Sequence, residues 1–450
     1  MRQRLIYFVL LALVMSQPSL QAQSVSIEQF TLPNGLRVVL NEDHSAPLVA
    51  INIWYHVGSK NERPGRTGFA HLFEHMLFSG SEHVGNNEHF RNIQSVGGTL
   101  NGSTNFDRTN YYETLPSNYL PLGLWLESDR MGFFLTALDQ KKLDIQKEVV
   151  KEERRQRYDN VPYGTAFERA LRLGYAPDYP YHWPTIGSMA DLTAAQLEDV
   201  KDFFRTYYSP NNAVLTLVGD FDKAEARSLV EKYFGDIPQG PPVPRFNSVR
   251  APMGSEKRET VPSPVALPRV YRLYHVPKVG EHHWYAADLL STVLAGDKSS
   301  RLSRSLVYDQ QIAQDVTAWV YPSEGTGLMI VSGTAKPGVS AEILEKALDA
   351  ELGRITASGI NQDELNRALN VTETQFAHQL ESFAQRADFI GMTTTFFNDS
   401  NYINTHLDKY RAVSRGDLAA VAARYIVPEN RVTLHFVPER SAAGVPKGGN

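Results

Sequence analysis

The sequence contains no cysteine among its 450 residues. Disulfide bonds and lipid attachment through a cysteine are therefore excluded. Long apolar runs are also scarce: the most apolar stretch, from Leu5 to Met15, is too short to cross a bilayer, and no other segment comes close. The formal net charge is only −5, so the composition does not favour a nucleic acid as a partner. The hydrophobic fraction of 42% and the charged fraction of 21% are ordinary for a globular protein.

Residues 1–22 have the features of a secretory signal peptide. Arg2 and Arg4 precede the apolar run, and a short polar stretch then ends at Ala22. We expect cleavage after Ala22 and no stable membrane anchor. An exported chain without cysteine avoids oxidative mispairing, so we expect a location in a bacterial periplasm.

The pentad His-Leu-Phe-Glu-His at residues 71–75 is the strongest chemical signal in the chain. The surrounding segment has apolar residues at helical spacing, which predicts a helix with one buried face. His71 and His75 are four residues apart, so both project from the same face, as a tetrahedral zinc ion requires. Glu74 is offset by about 100° and is free to take a proton from water. The pentad therefore predicts zinc-dependent hydrolysis of peptide bonds, with the signature residues in inverted order.

A catalytic zinc site needs a third protein ligand, and the best candidate region is the predicted helix at residues 143–157. Gln146, Val150 and Glu153 share one face of this helix. Glu152 lies about 100° away from Glu153. Spacing alone leaves both glutamates open as the third ligand. The remaining charged residues of this helix are expected to form a solvated surface with ion pairs.

The inverted pentad, followed later by a helix with Val-Val-x-Glu-Glu, resembles the pitrilysin/insulinase family of zinc peptidases. That family includes the mitochondrial processing peptidases and many bacterial relatives. Residues 97–111 resemble its glycine-rich edge strand beside the metal, and residues 162–164 and 181–187 resemble its next landmarks. The agreement extends over most of residues 27–235. The resemblance implies a zinc endopeptidase that acts on peptides or unfolded polypeptide segments.

The resemblance also implies roles for individual residues. His71, His75 and Glu153 would bind one zinc ion per chain, and Glu74 would be the general base. The family commonly has glutamate where this sequence has Gln146, so a carboxylate that would orient a ligand is missing. We expect this change to alter metal affinity or pH dependence and to leave the site in place.

Substrate is expected to bind to the glycine-rich edge strand. An extended peptide can add to a free strand edge through backbone hydrogen bonds, which tolerates varied side chains. Gly98, Asn101 and Thr104 are the predicted substrate-binding residues, and Asn101 would bond to the peptide close to the zinc. Without the neighbouring pentad, Gly97 and Gly98 would be interpreted as a plain turn.

An internal repeat organises the rest of the chain. A helix, a Pro-Asn turn and a strand recur at one constant offset, so that Val200, Phe203, Tyr207, Pro210, Asn212 and Val214 correspond to Leu418, Val421, Tyr425, Pro428, Asn430 and Val432. The repeat predicts an α+β fold with two duplicated α/β-sandwich halves, which in the resembled family close as a clamshell. We predict an N-terminal peptidase domain at residues 23–237, a Pro-rich linker at 238–268, a C-terminal domain at 269–439 and a flexible tail at 440–450.

The second half lacks the chemistry of the first. Ala287, Leu290 and Ser291 stand where the first half has its two histidines and its glutamate, so this half cannot bind zinc. The resembled family uses an arginine–tyrosine pair in this region to hold substrate. The matching positions here are Val307 and Gln314, so we expect that the pair is lost.

The missing pair leads to a prediction about partners. Arg301 and Tyr308 could replace it only if the register shifted by about two helical turns. Some bacterial members of the resembled family are heterodimers, so we expect peptide substrates and a paralogous subunit that supplies the pair, or else a second copy of this chain. One rival hypothesis is a non-catalytic scaffold subunit of a larger complex, and another is a purely structural zinc ion.

Overall fold

The computed structural model describes residues 24–245 and 253–439. The predicted signal peptide and the predicted C-terminal tail lie outside these ranges. The described chain is 49% helical and 20% strand and contains two sheet-bearing halves, which confirms the predicted α+β fold class. Within these ranges, no helix combines the length and the apolar character that crossing a bilayer requires.

The first half is built on a six-stranded sheet. Its strands are β1 (Glu28–Thr31), β2 (Arg37–Glu42), β3 (Leu48–Tyr55), β4 (Thr99–Thr104), β5 (Thr109–Pro116) and β6 (Ala213–Gly219). They lie in the order β1-β2-β6-β3-β5-β4. The strands β2 and β6 are parallel and all other neighbours are antiparallel. As a result, β4 forms one edge of the sheet.

The second half is built on a five-stranded sheet. Its strands are β7 (Lys257–Ser263), β8 (Arg269–Val276), β9 (Ala313–Tyr321), β10 (Gly327–Ala335) and β11 (Arg431–Pro438). They lie in the order β7-β11-β8-β10-β9. Again one pair, β7 with β11, is parallel and the other neighbours are antiparallel. The strand order and the strand directions of the second sheet therefore repeat those of β2-β6-β3-β5-β4 in the first sheet. This repetition confirms the predicted duplication.

Helices flank both sheets. Those of the first half are α1 (Phe69–Met76), α2 (Glu88–Ser95), α3 (Leu120–Phe133), α4 (Gln140–Arg154), α5 (Ala166–Gly174), α6 (Met189–Ala194), α7 (Leu197–Tyr207) and α8 (Lys223–Phe234). Those of the second half are α9 (His282–Ala295), α10 (Ala341–Ser358), α11 (Gln362–Glu381), α12 (Phe383–Phe397), α13 (His406–Arg411) and α14 (Arg415–Tyr425). Two π-helical turns also occur, at Arg155–Asp159 directly after α4 and at Ser303–Asp309.

The repeated Pro-Asn turn has the same function in both halves. Asn212 Nδ2 donates to the carbonyl of Tyr207 at 2.8 Å, and Asn430 Nδ2 donates to the carbonyl of Tyr425 at 2.8 Å. A second bond from each amide reaches a backbone carbonyl at the end of β3 or β8. Each asparagine thus satisfies a helix C-terminal carbonyl and ties the helix to its sheet.

Each half contributes a helix to the other. Helix α12 of the second half packs across β3 and β6 on the back face of the first sheet, and α5 of the first half packs on β8 and β11. The indole of Trp54 packs against Phe396, with ring centroids 5.7 Å apart, and its Nε1 donates to Asp388 at 2.8 Å. The halves are therefore held together by buried apolar surface shared between them.

The predicted linker contains a strand. Strand β7 lies inside residues 238–268 and pairs in parallel with β11. Within the described residues it forms the edge of the second sheet, and a proline such as Pro262 is tolerated in an edge strand because the missing N–H is not needed on the open side. The many prolines of residues 238–268 are therefore compatible with a strand, although they led to the prediction of a linker. We propose that the second domain begins at Lys257.

A buried guanidinium joins the second sheet to α10. Arg272 on β8 is fully buried, and its Nη2 lies 2.7 Å from Glu345 and 2.8 Å from Asp349. Burial by itself raises the pKa of Glu345, but hydrogen bonds from Arg258 and Arg272 overcome this and hold the pKa at about 2. The carboxylate therefore stabilises the folded chain while it is ionised.

We expect the contribution of Glu345 to disappear in acid. Because its pKa is lower in the folded chain than in the unfolded chain, its stabilisation is complete above about pH 5 and is lost as the pH falls towards 2. Glu345→Gln should therefore lower the free energy of unfolding more at pH 7 than near pH 2.5. Urea titrations at both pH values measure this, with Glu429→Gln at an exposed position as the control. An equal loss at both pH values would contradict the prediction.

Candidate metal centre

Helix α1 carries the pentad, and its start is fixed by a buried carboxylate. Glu62 accepts hydrogen bonds from the backbone N–H groups of Gly68 at 2.9 Å and Ala70 at 2.7 Å. These bonds satisfy donors that have no partner within the helix. Gly68 has φ +85°, a left-handed conformation that glycine adopts without strain. The apolar face packs into the first core through Phe69, Leu72, Phe73 and Met76.

The structure brings His71, His75 and Glu153 together. His71 Nε2 lies 3.8 Å from Glu153 Oε1, and His75 Nε2 lies 3.1 Å from Glu153 Oε2. One donor atom from each residue falls within 4.8 Å of the other two. Within the described ranges, no other group of His, Cys, Asp and Glu side chains meets this criterion. Residues from α1 and α4 thus converge on one point.

The donor set fits a zinc ion. Two ligands on a tetrahedral zinc, each about 2.0–2.1 Å from the metal, are about 3.3 Å apart, which is close to the observed separations. Burial lowers the pKa of His71 to about 4, so its imidazole is neutral and can donate an electron pair. The hydrogen bond with His75 lowers the pKa of Glu153, which keeps this carboxylate ionised. The remaining tetrahedral position would be free for water or substrate.

The two glutamates left open by spacing have different surroundings. The Glu152 side chain is 53% exposed and pairs with Arg155 at 3.0 Å on the outer face of α4. The Glu153 side chain is 16% exposed and faces the histidines, with Arg157 at 2.7 Å on its solvent side. Helix α4 packs against α1 along the face that includes Glu153, which is why only this glutamate reaches the site.

Gln146 bonds to a residue outside the predicted ligand set. Its Nε2 donates to Ser79 Oγ at 3.1 Å, which ties α4 to the segment after α1. Nδ1 of His71 is buried and has no hydrogen-bond partner among the described residues. None of the described residues therefore orients this ring through Nδ1, as a carboxylate or carbonyl usually does for a histidine ligand.

Glu74 lies beside the three donors and bonds to the edge strand. Its Oε2 accepts a hydrogen bond from Thr104 Oγ1 at 2.7 Å. Burial raises the pKa of Glu74, which brings this carboxyl nearer to the range of an effective proton acceptor. The carboxylate is thus placed to exchange a proton and is not one of the clustered donors.

Strand β4 approaches the site through a glycine that the sequence did not single out. A Cβ on Gly102 would lie 3.0 Å from Glu74 Cγ and 3.1 Å from Phe78 Cε2. A side chain at this position would therefore require Glu74 or Phe78 to shift. Side chains alternate along a strand, so residues 102 and 104 of β4 lie on the same face. This alternation could have identified Gly102 from the sequence, because Thr104 was already a predicted site residue.

The three predicted substrate-binding residues have different positions. Thr104 contacts Glu74, as described. Asn101 is exposed on β4, and its Oδ1 accepts a hydrogen bond from the N–H of Gly102 at 2.9 Å. Gly98 precedes β4 and packs against Ile93 of α2, where a Cβ would come within 2.8 Å of Ile93 Cγ2. Their roles towards substrate stay predictions.

Among the described residues of the second half, no group of side chains matches the donor set of the first half. The counterparts of the pentad on α9, Ala287, Leu290 and Ser291, are all buried. Arg301 is bound within its own half, since it donates to both carboxylate oxygens of Glu364 at 2.6 and 2.7 Å. Tyr308 is 50% exposed in the second π-helical turn.

The inverted-motif metallopeptidases have this fold class: two duplicated α+β halves, the first with an inverted pentad whose two histidines meet a glutamate from another helix. Comparison with known sequences agrees. Residues 37–172 match the family described as insulinase (peptidase family M16), and residues 194–372 match the peptidase M16 inactive domain. The chain belongs to the M16 (insulinase) family.

Individual relatives extend over nearly the whole chain. The zinc protease PqqE of Helicobacter pylori is 29% identical over 445 residues, covering 97% of this chain and 99% of the relative. A core protein I of the ubiquinol-cytochrome-c reductase complex from Euglena gracilis is 25% identical over 435 residues, covering 89% and 85%. The zinc protease relative supports a peptidase-type function, whereas the other relative is named as a core protein of a complex.

Solved structures show the same fold. A protease from Helicobacter pylori superposes with a TM-score of 0.87 at 28% identity, covering 92% of this chain and 100% of that chain. The periplasmic protease PqqL of Escherichia coli superposes with a TM-score of 0.73 at 18% identity, covering 91% of this chain and 47% of that chain. The present chain therefore spans about half of the latter protein.

Proposed function

We propose that this protein is a zinc-dependent endopeptidase that hydrolyses peptides or unfolded polypeptide segments. The observation that supports this best is the relation of Glu74 to the three donors. It shares a helix with both histidines, bonds to an edge strand, and remains outside the cluster of donor atoms. A purely structural zinc site would have no use for a buried carboxylate in this position.

The proposed roles follow from the positions of the side chains. His71, His75 and Glu153 would hold the ion, which when bound supplies Lewis acidity to water and to a peptide carbonyl. Glu74 would accept a proton from the attacking water and later deliver it to the leaving amine. Gly102 lets β4 pass close to Glu74. A substrate strand paired with β4 would therefore lie next to Glu74.

We further propose that the chain acts with a second subunit. Val307 and Gln314 stand where the family has its substrate-holding arginine and tyrosine, and the nearby Arg301 is held by Glu364. A paralogous chain with that pair would complete the site, and the alternative assembly is a dimer of two copies of this chain. The likeness to half of a longer protease is in keeping with such pairing. Export to the periplasm is a separate proposal and rests on residues 1–22.

The second candidate function is that of a non-catalytic scaffold subunit. The relative in the ubiquinol-cytochrome-c reductase complex favours it, since that protein is named as a core protein of an assembly. All four residues of the proposed site are nevertheless retained here, and a scaffold would not require them.

Hydrolysis of an internally quenched peptide by the purified chain tests both candidates. We expect turnover that a chelator removes and that added zinc restores. A zinc-loaded but inactive chain that becomes active with a paralogous subunit would support the heterodimer. A zinc-loaded chain that stays inactive with every such partner would reject the peptidase proposal in favour of the scaffold.

A further inference from the structure

The turn between β4 and β5 is anchored outside its own sheet. This turn, at residues 105–108, follows directly after Thr104. The ring of Phe106 is 1% exposed and packs against Tyr181, with ring centroids 4.9 Å apart, and against Tyr321 of β9 at 5.2 Å. The tip of the hairpin therefore lies in an apolar cluster that contains residues of the second sheet.

The next residue of the turn continues this anchor with polar contacts. Asp107 is 1% exposed, and its Oδ1 accepts a hydrogen bond from the Tyr181 hydroxyl at 2.7 Å. The same oxygen lies 3.1 Å from the ammonium of Lys60. Its Oδ2 accepts a hydrogen bond from the backbone N–H of Glu324 at 2.9 Å. Glu324 lies in the loop between β9 and β10, so the second half binds the turn directly.

The side chain of Glu324 closes the network. Its Oε2 lies 2.5 Å from Lys60 Nζ and 2.6 Å from His56 Nε2. Burial by itself raises the pKa of Glu324, but the bond from His56 and the charge of Lys60 hold it at about 2, so the carboxylate is ionised. The Lys60 side chain is only 2% exposed, and a buried ammonium requires compensating charge. Glu324 and Asp107 both contribute that charge.

We propose that the second half positions the catalytic carboxylate of the first half, through the bond from the Glu324 N–H to Asp107 of the β4–β5 turn and through the Lys60 ammonium that both carboxylates contact. The proposal rests on the proposed function. Thr104 is the residue next to the turn, and its hydroxyl donates to Glu74, so a displaced turn would displace this hydroxyl. Small errors in the placement of a reacting group cost rate steeply. Glu324 is a positioning residue, and the half without a metal site has a function at the centre of the other half.

A second ion pair between the halves provides a matched control. Arg386 on α12 lies 2.7 Å from Asp43, and the two side chains are 12% and 24% exposed. Asp43 follows β2 at the other side of the first sheet and does not contact the β4–β5 turn. Asp43→Asn and Glu324→Gln therefore each remove one carboxylate charge between the halves. Only Glu324 pairs with Lys60, whose ammonium also contacts Asp107 of the turn.

The experiment compares both variants with the wild-type chain by kinetics and by amide hydrogen exchange. We expect Glu324→Gln to lower kcat about tenfold with little change in KM, and to speed exchange at residues 99–104. Asp43→Asn should do neither. Thr104→Val should lower kcat by itself, and adding Glu324→Gln to it should cause no further loss, because both act through one contact.

Three results would overturn the proposal: similar exchange at residues 99–104 in all chains, equal effects of the two charge changes, or full additivity with Thr104→Val. If Glu324→Gln does not fold, Tyr181→Phe removes a hydroxyl that bonds to both Asp107 and the N–H of Gly325, and the same faster exchange is expected. Should the wild-type chain hydrolyse no peptide, the proposed function fails, while the exchange measurement still decides whether the second half holds the strand.

Discussion

Glu74→Gln is expected to lower peptide hydrolysis by about a thousandfold or more while the chain keeps its zinc. The glutamine retains the size of the side chain and can still accept the hydrogen bond from Thr104, so the local packing should persist. It cannot accept a proton, and general-base catalysis of this kind contributes about 10²–10⁴-fold. Turnover of a quenched peptide and zinc content per chain are the two measurements.

The control for Glu74→Gln is the zinc content of the purified variant. Equal zinc content in the variant and the wild-type chain shows that the loss lies in proton transfer and not in the site. Hydrolysis by the variant at the wild-type rate would refute the role assigned to Glu74. Activity lost together with zinc would instead assign Glu74 a part in metal binding.

Glu153→Gln is expected to weaken zinc binding by more than about 100-fold, since even residues that only support a ligand contribute about 10–100-fold. The charge of Glu153 lies between two imidazoles, and a neutral amide oxygen is a poorer ligand for the ion. Hydrolysis should fall with metal occupancy. Competition with a zinc-sensitive chelator measures the affinity, and turnover is measured at the same zinc concentrations.

Glu152→Gln is the matched control for this second prediction. It makes the same chemical change one residue earlier on the same helix, at a side chain that is 53% exposed and paired with Arg155. Its zinc affinity and activity should equal those of the wild-type chain. If Glu152→Gln lost zinc and Glu153→Gln kept it, the ligand assignment would be reversed.

Much of the fold follows from patterns that are local in the chain. The apolar spacing around the pentad predicted helix α1 and its buried face, because helix periodicity is a property of neighbouring residues. The repeated Pro-Asn turn predicted that two halves share one plan, and the strand orders agree with it. The linker was less predictable, since an edge strand such as β7 tolerates proline and then resembles a loop in the sequence.

For the candidate site, too, some features follow from the sequence and others only from the tertiary structure. The sequence by itself determined that two imidazoles and a glutamate share one helix, because their spacing is a matter of residues per turn. It left Glu152 and Glu153 open, because the choice depends on which face of α4 packs against α1. Gly102 and Glu324 were not singled out either, since their importance comes from contacts between segments far apart in the chain. Local spacing determined which groups this protein could use, and tertiary packing alone decided which of them meet.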